Sequence, residues 1–148
     1  MKVLKVAKLH KDAILPKRAD ALSSGLDLYT HFDVTIPAGK RVLVDTGIAI
    51  ELEPGYEAQV RPKSGLALKH GISVVNTPGT IDCGFKNSLG VILINTDTEN
   101  AKEFKAGDKI AQLVVQEVCL PEVVEVETVY EGIETERGFG GFGSTGAR

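Results

Sequence analysis

Cysteine is scarce in this 148-residue chain: Cys83 and Cys119 are the only two, and they lack the paired spacing of a metal site. Without a signal peptide, two scattered cysteines are expected to be free thiols in a reducing cytoplasm. Long hydrophobic runs are missing as well. No stretch approaches the roughly 20 apolar residues that cross a bilayer. The opening Met1-Lys-Val-Leu-Lys-Val-Ala-Lys8 interleaves lysine with apolar residues, as a first strand does and a targeting peptide does not. Nor is positive charge in excess. The 17 Lys and Arg stand against 20 Asp and Glu, a net charge of -3 with no basic stripe to track a nucleic-acid backbone. Polymeric DNA or RNA is therefore not expected as a partner. A nucleotide remains compatible, because a few local cations and a metal ion can hold a triphosphate.

What is present is a β-type pattern. With 43% hydrophobic and 25% charged residues, the composition is that of a soluble globular protein, and the length suits one domain with a real core. Runs expected as strands are Val3 to Leu9, Gly25 to Tyr29, Phe32 to Ile36, Arg41 to Leu52 with a bulge or bend at Asp45-Thr46-Gly47, Tyr56 to Val60, Gly71 to Val75, Leu89 to Ile94 and Lys109 to Val118. Val123 to Val129 also alternates apolar residues with Glu and Thr. Pro37-Ala-Gly39, Pro54-Gly55 and Ala106-Gly107-Asp108 are turns between them, and Asn95 to Asn100 is a polar loop. Only Arg61 to Gly71 reads as a helix, a short one that Ser64 can cap and Gly71 ends.

Many short strands without an internal repeat point to an all-β fold, a jelly-roll-like barrel or sandwich with one short helix. Residues 1–132 are expected to form this domain, and 133–148 a flexible glycine-rich C-terminal arm. Arg137 to Gly146 holds five of the 16 glycines and no aliphatic core residue, so it cannot pack as an element by itself.

Five places carry chemistry. In Asn76-Thr-Pro-Gly-Thr-Ile-Asp-Cys-Gly-Phe85 the Pro78-Gly79 pair makes a turn between two strand-like runs, and Asp82 is left as one carboxylate able to face a pocket. Lys63-Ser64-Gly65, at the start of the short helix, gathers free amides, a hydroxyl and an ammonium that favour an anion. Gln112 is a polar residue inside an apolar strand. Asp27 is an acid inside another and can serve a metal through water. In the arm, glycines free successive amides to wrap an anion, Ser144 and Thr145 add hydroxyls, Arg137 adds a guanidinium fork, and Phe139 or Phe142 can stack on a flat base. Taken singly, each feature also has an ordinary structural use as a turn, cap, exposed acid or tail.

Taken together and in order, Ser24-Gly-Leu-Asp-Leu28, Pro62-Lys-Ser-Gly-Leu-Ala67, Asn76 through Lys86, Gly107-Asp-Lys-Ile-Ala-Gln112 and Arg137 to Gly146 strongly resemble the five motifs of the trimeric dUTP pyrophosphatase (dUTPase) family. The resemblance covers nearly the whole chain. It implies hydrolysis of dUTP to dUMP and pyrophosphate, with Mg2+, in sites shared by the three subunits of a homotrimer. By that resemblance Asp82 is the catalytic residue, orienting and deprotonating the attacking water. The substrate-binding positions are Lys63, Ser64 and Gly65 with Gln112 on the phosphates, Asn76 and Thr80 in the hairpin that reads uracil, and Phe85 under the deoxyribose. Arg137, Phe142, Gly143, Ser144 and Thr145 of a third subunit's arm close the site, and Asp27 supports the Mg2+ indirectly, through water.

Three positions depart from the family's usual pattern. Lys63 stands where Arg is common, Phe85 where Tyr is common, and Lys86-Asn87 where Arg-Gly or a similar pair is frequent. Lys63 gives a point charge without a bidentate fork. Two other readings compete with dUTP hydrolysis: a related deaminase acting on dCTP, which needs a further acid beside the pyrimidine, and a non-catalytic nucleotide sensor that keeps the pocket.

Overall fold

A computed structural model describes residues 1–129 and, beyond them, Gly132, Glu134, Gly138 and Gly140. The β-branched runs become strands β1 (Lys5–Lys8), β2 (Leu26–Tyr29), β3 (Val34–Ile36), β4 (Arg41–Asp45), β5 (Ile48–Glu51) and β6 (Tyr56–Arg61). After helix α1 (Ser64–His70) come β7 (Ile72–Val74), β8 (Gly79–Ile81), β9 (Gly90–Asn95), β10 (Lys102–Phe104) and β11 (Lys109–Glu117). They form four open antiparallel sheets, β2-β11-β6-β8, β4-β9-β7, β1-β5 and β3-β10, and no closed barrel among the described residues. The expected all-β architecture with one short helix is what the chain adopts.

The core lies between the two larger sheets. Alternation supplies it: Val91 and Leu93 point inward from β9, Ala58 and Val60 from β6, and Leu28, Val44 and Leu113 join them, all 2% exposed or less. Each such Val or Leu removed from water contributes about 1.5–3 kcal/mol, so this layer fixes the strands that carry the polar residues of the site. No helix of the described residues is long and apolar enough to cross a membrane.

Four features differ from what the sequence pattern suggested. The run from Arg41 to Leu52 is two strands in different sheets, because β4 pairs with β9 and β5 with β1. The crossing is made at Gly47, with φ +69°, packed so closely that a Cβ there would lie 3.0 Å from the Cβ atoms of Ala13 and His10. Buried Thr46 anchors the crossing by donating its hydroxyl to the Leu89 carbonyl at 2.7 Å. Secondly, β10 was not expected, since three residues are too few for alternation to show; it pairs with β3 and buries Phe104. Thirdly, residues 121–129 form no strand, and Val123, Val124, Val126 and Val129 are exposed.

The fourth concerns α1. Its N-cap is Lys63, with no side-chain cap, and Ser64 is the first helical residue, so its hydroxyl does not cap the helix. The other end is as expected. Gly71 is left-handed, with φ +62°, and its amide donates to the Ala67 carbonyl at 3.0 Å.

Candidate active site

Three neighbouring strands build one half of the site. On β11, Gln112 stands opposite Asp27 of β2 on one side and Arg61 of β6 on the other. Its side-chain amide donates to the Pro62 carbonyl at 2.9 Å, which ties down the backbone just before Lys63, Ser64 and Gly65. Asp27 is the only buried acid among the described residues. Its Oδ1 accepts from the Lys63 ammonium and its Oδ2 from the Lys109 ammonium, the latter at 2.7 Å. Burial pushes the Asp27 carboxyl up, but the ammoniums of Lys109 and Lys63 outweigh it and hold the group below its ordinary value. The same contact with Asp27 pushes the Lys109 ammonium up.

The hairpin builds the other half. β7 and β9 pair as expected, Ile72 opposite Asn95 and Val74 opposite Leu93, but the segment between them is more than a turn. It leaves this sheet and adds β8 to the edge of β6, with Gly79 opposite Val60, Thr80 opposite Gln59 and Ile81 opposite Ala58. The Asn76 amide folds back over Gly79, where an added Cβ would lie 3.2 Å from Nδ2. Asp82 follows β8 directly and is exposed. Gly84, at φ +101°, turns the chain so that Phe85, 40% exposed, borders a concavity of about 530 Å³ shared with β1 and β5.

Because β8 runs antiparallel to β6, Asp82 lies beyond Ile81 at the Glu57 end of that strand, whereas Lys63 lies beyond its Arg61 end. At about 3.3 Å per residue, roughly 20 Å separates them. The fold therefore gathers Asp27, Lys63, Ser64, Gly65 and Gln112 at one end of β6, sets Asn76 and Thr80 along β8 opposite its middle, and leaves Asp82 and Phe85 beyond its other end. Arg137, Phe142, Gly143, Ser144 and Thr145, together with the arm expected over 133–148, lie outside the described residues apart from isolated glycines and Glu134. Lys109 was not singled out from the sequence, and only its place in Gly107-Asp-Lys-Ile-Ala-Gln112 could have drawn attention to it.

The dUTPase family model matches residues 11–146. The chain belongs to the dUTPase family. A protein of Gloeothece citriformis named deoxyuridine 5'-triphosphate nucleotidohydrolase is 55% identical over 143 residues, 97% of this chain and 96% of its own length. One of the same name from Nautilia profundicola is 50% identical, over 97% of this chain and 98% of its own. Among solved structures, a mutant dUTPase of Staphylococcus bacteriophage 80alpha with dUpNHpp superposes with a TM-score of 0.88 at 24% identity, covering 99% of both chains. The fold is thus the jelly-roll-like β fold of dUTPases. A mutant dUTPase of phage phi11, described with a structural Mg(II) ion, aligns at a TM-score of 0.80 and 22% identity over 86% of this chain and 98% of its own.

One site contact of this dUTPase chain yields a direct test. A Cβ at Gly25 would sit 2.2 Å from Oε1 of Gln112, inside any tolerable contact. Gly25→Ala therefore displaces the Gln112 carboxamide, whose Nε2 donates to the Pro62 carbonyl. The expected result is a loss of about tenfold or more in kcat/KM for dUTP, the size of one misplaced polar contact, measured by pyrophosphate release; an unchanged kcat/KM would mean that the Gln112 position does not matter.

Proposed function

We propose that the chain hydrolyses dUTP to dUMP and pyrophosphate, drawing down dUTP that would otherwise enter DNA and supplying dUMP for thymidylate synthesis. The observation that carries this reading is the match to the dUTPase family over residues 11–146, a span that includes all five motifs, in a chain half identical or better to proteins named for this reaction. In the reaction, water oxygen forms a bond to the α-phosphorus and the bond to the bridging oxygen breaks, so pyrophosphate leaves. Asp82 holds the water and takes its proton, as a carboxylate general base positioned where bulk water is excluded. Ser64, Gly65 and Gln112 hold the inner phosphates beside Lys63. Asn76, Thr80 and the hairpin backbone read the uracil edge, and the Phe85 ring lies under the deoxyribose, where it leaves no space for a 2′-hydroxyl.

Arg137, Phe142, Gly143, Ser144 and Thr145 close over base and γ-phosphate. Ordering so glycine-rich a segment costs entropy, which ties closure to the full triphosphate.

Mg2+ is the metal of this reading. Among the described residues no three His, Cys, Asp or Glu side chains gather to hold an ion, and both Asp27 oxygens already accept from ammoniums. The residues therefore fit an ion carried mainly by the triphosphate and water, with Asp27 touching it through water at most. When bound, it would neutralise phosphate charge and so ease approach of a nucleophile.

A homotrimer with shared sites is supported by the separation of the two halves along β6, since a neighbouring copy can bring Asp82 to Lys63. Apolar surface exposed on the isolated chain agrees. On the outer face of β4-β9-β7, exposed Leu43 sits opposite half-buried Ile92, and after β11 Leu120, Val123 and Val124 are exposed. Two free thiols, Cys83 and Cys119, suit a cytoplasmic setting.

The reading is tested by pyrophosphate release with Mg2+ from dUTP, dCTP, dTTP and UTP. Release from dUTP alone is expected. Ammonia from dCTP would make the chain a deaminase, and tight dUTP binding without release would make it a sensor.

A further inference from the structure

Lys109 has no role in the reading above, yet it occupies one oxygen of Asp27. Residues three apart on a regular strand face opposite sides of a sheet, so Lys109 and Gln112 should not both reach the Asp27 face. The register shows how they do. Lys109 stands opposite Tyr29 and Ala111 opposite Leu28, which leaves Ile110 as the extra residue of a bulge. Ile110 and Ala111 both turn into the core, 1% and 0% exposed, and Lys109 emerges against Asp27. The bulge re-aims a cation at the one buried acid of the site.

Two ammoniums are one more than a single carboxylate needs. With a side chain only 7% exposed, Asp27 cannot be left unpaired without a large desolvation cost. With Lys109 fixed to Oδ2, however, Lys63 can leave Oδ1 and no buried charge is stranded. Lys63 is also the cation next to the Pro62 carbonyl that Gln112 holds, and next to Ser64 and Gly65.

We infer that Lys109 is a positioning residue: it is the standing counter-ion of Asp27 that releases Lys63 to the phosphates of a bound nucleoside triphosphate. The inference deepens the dUTP reading of the site and rests on it. Without Lys109, Asp27 keeps Lys63, and the phosphates lose a cation. Without both Lys109 and Asp27, Lys63 is free again.

The test is calorimetric binding of the non-hydrolysable imido analogue of dUTP to the full-length protein in EDTA, with deoxyuridine as the phosphate-free control. Lys109→Met is expected to weaken analogue binding about tenfold, as for one lost charge-assisted contact, and to leave deoxyuridine binding unchanged. Adding Asp27→Asn is expected to recover most of the loss, and Lys109→Arg, which keeps the cation, to stay near the parent protein. Unchanged analogue affinity in Lys109→Met, or a double variant as weak as the single, would overturn the inference. Should Lys109→Met not fold, the lysine ammonium ¹⁵N resonances of the unaltered protein decide. Analogue must move Lys63 and leave Lys109 in place, and movement of Lys109 instead refutes the exchange. An unaltered protein that binds no analogue and releases no pyrophosphate overturns the dUTP reading itself, and the inference with it.

Discussion

Asp82→Asn is expected to bind dUTP with nearly parental affinity and to release pyrophosphate about a hundredfold to ten-thousandfold more slowly, the range that a positioned general base supplies. The substitution keeps the shape of the side chain and removes its capacity to take a proton. Asp82 is exposed, and its carboxylate has no hydrogen-bond or ion-pair partner among the described residues, so folding has little at stake. Exposed substitutions of this kind usually stay within about 0.5 kcal/mol of the parent in stability. The loss should therefore appear in kcat and not in KM, the pattern of an interaction made only in the transition state. Pyrophosphate release gives kcat, and calorimetry with the imido analogue gives affinity. A variant that turns over at the parental rate would remove Asp82 from the chemistry, and one that no longer binds would make it a binding residue.

The motifs of the candidate site were legible in the sequence because they are local. Pro62 to Ala67 and Asn76 to Lys86 each place their polar residues within a few positions of a turn or helix start, where residue type dictates backbone geometry. What could not be read is what depends on pairing between distant strands. Thr46-Gly47 looked like an irregularity within one strand, because nothing local says that β4 will pair with β9 and β5 with β1. Ser64 looked like a cap because its type favours that position, yet helical geometry begins at Ser64 itself and Lys63 takes the boundary. The Ile110 bulge is invisible in Lys-Ile-Ala-Gln, and without it Lys109 would have faced away from Asp27. Val123 to Val129 has the alternation of a strand but no partner within the described chain, and alternation specifies a face without saying what covers it.

The separation of Asp82 from Lys63 along β6 leads to the second large effect, recovery of activity from two inactive proteins. On the proposed roles, Asp82→Asn keeps a sound phosphate half, Asp27 with Lys63, Ser64 and Gln112, and has a dead hairpin half. Ser64→Ala combined with Gln112→Ala has the reverse defect, and losing two phosphate contacts should cost it about a hundredfold or more. If each site joins the phosphate half of one copy to the hairpin half of the next, co-expression of the two variants creates sites in which both halves are intact. Random assortment in a closed ring makes that about one site in four, so the mixture should show about a quarter of the parental rate although each protein alone is nearly inactive. On that arrangement the rate also vanishes on dilution into the range where subunits separate, because a lone chain then has only half of each site. A site contained in one chain has no route to such recovery: each chain then carries its own defect, and mixing changes nothing. Recovery near a quarter thus requires both the subunit exchange and the placement of Asp82 in a different copy from Lys63, and its absence from verified mixed trimers would leave the roughly 20 Å gap along β6 to be closed within one chain.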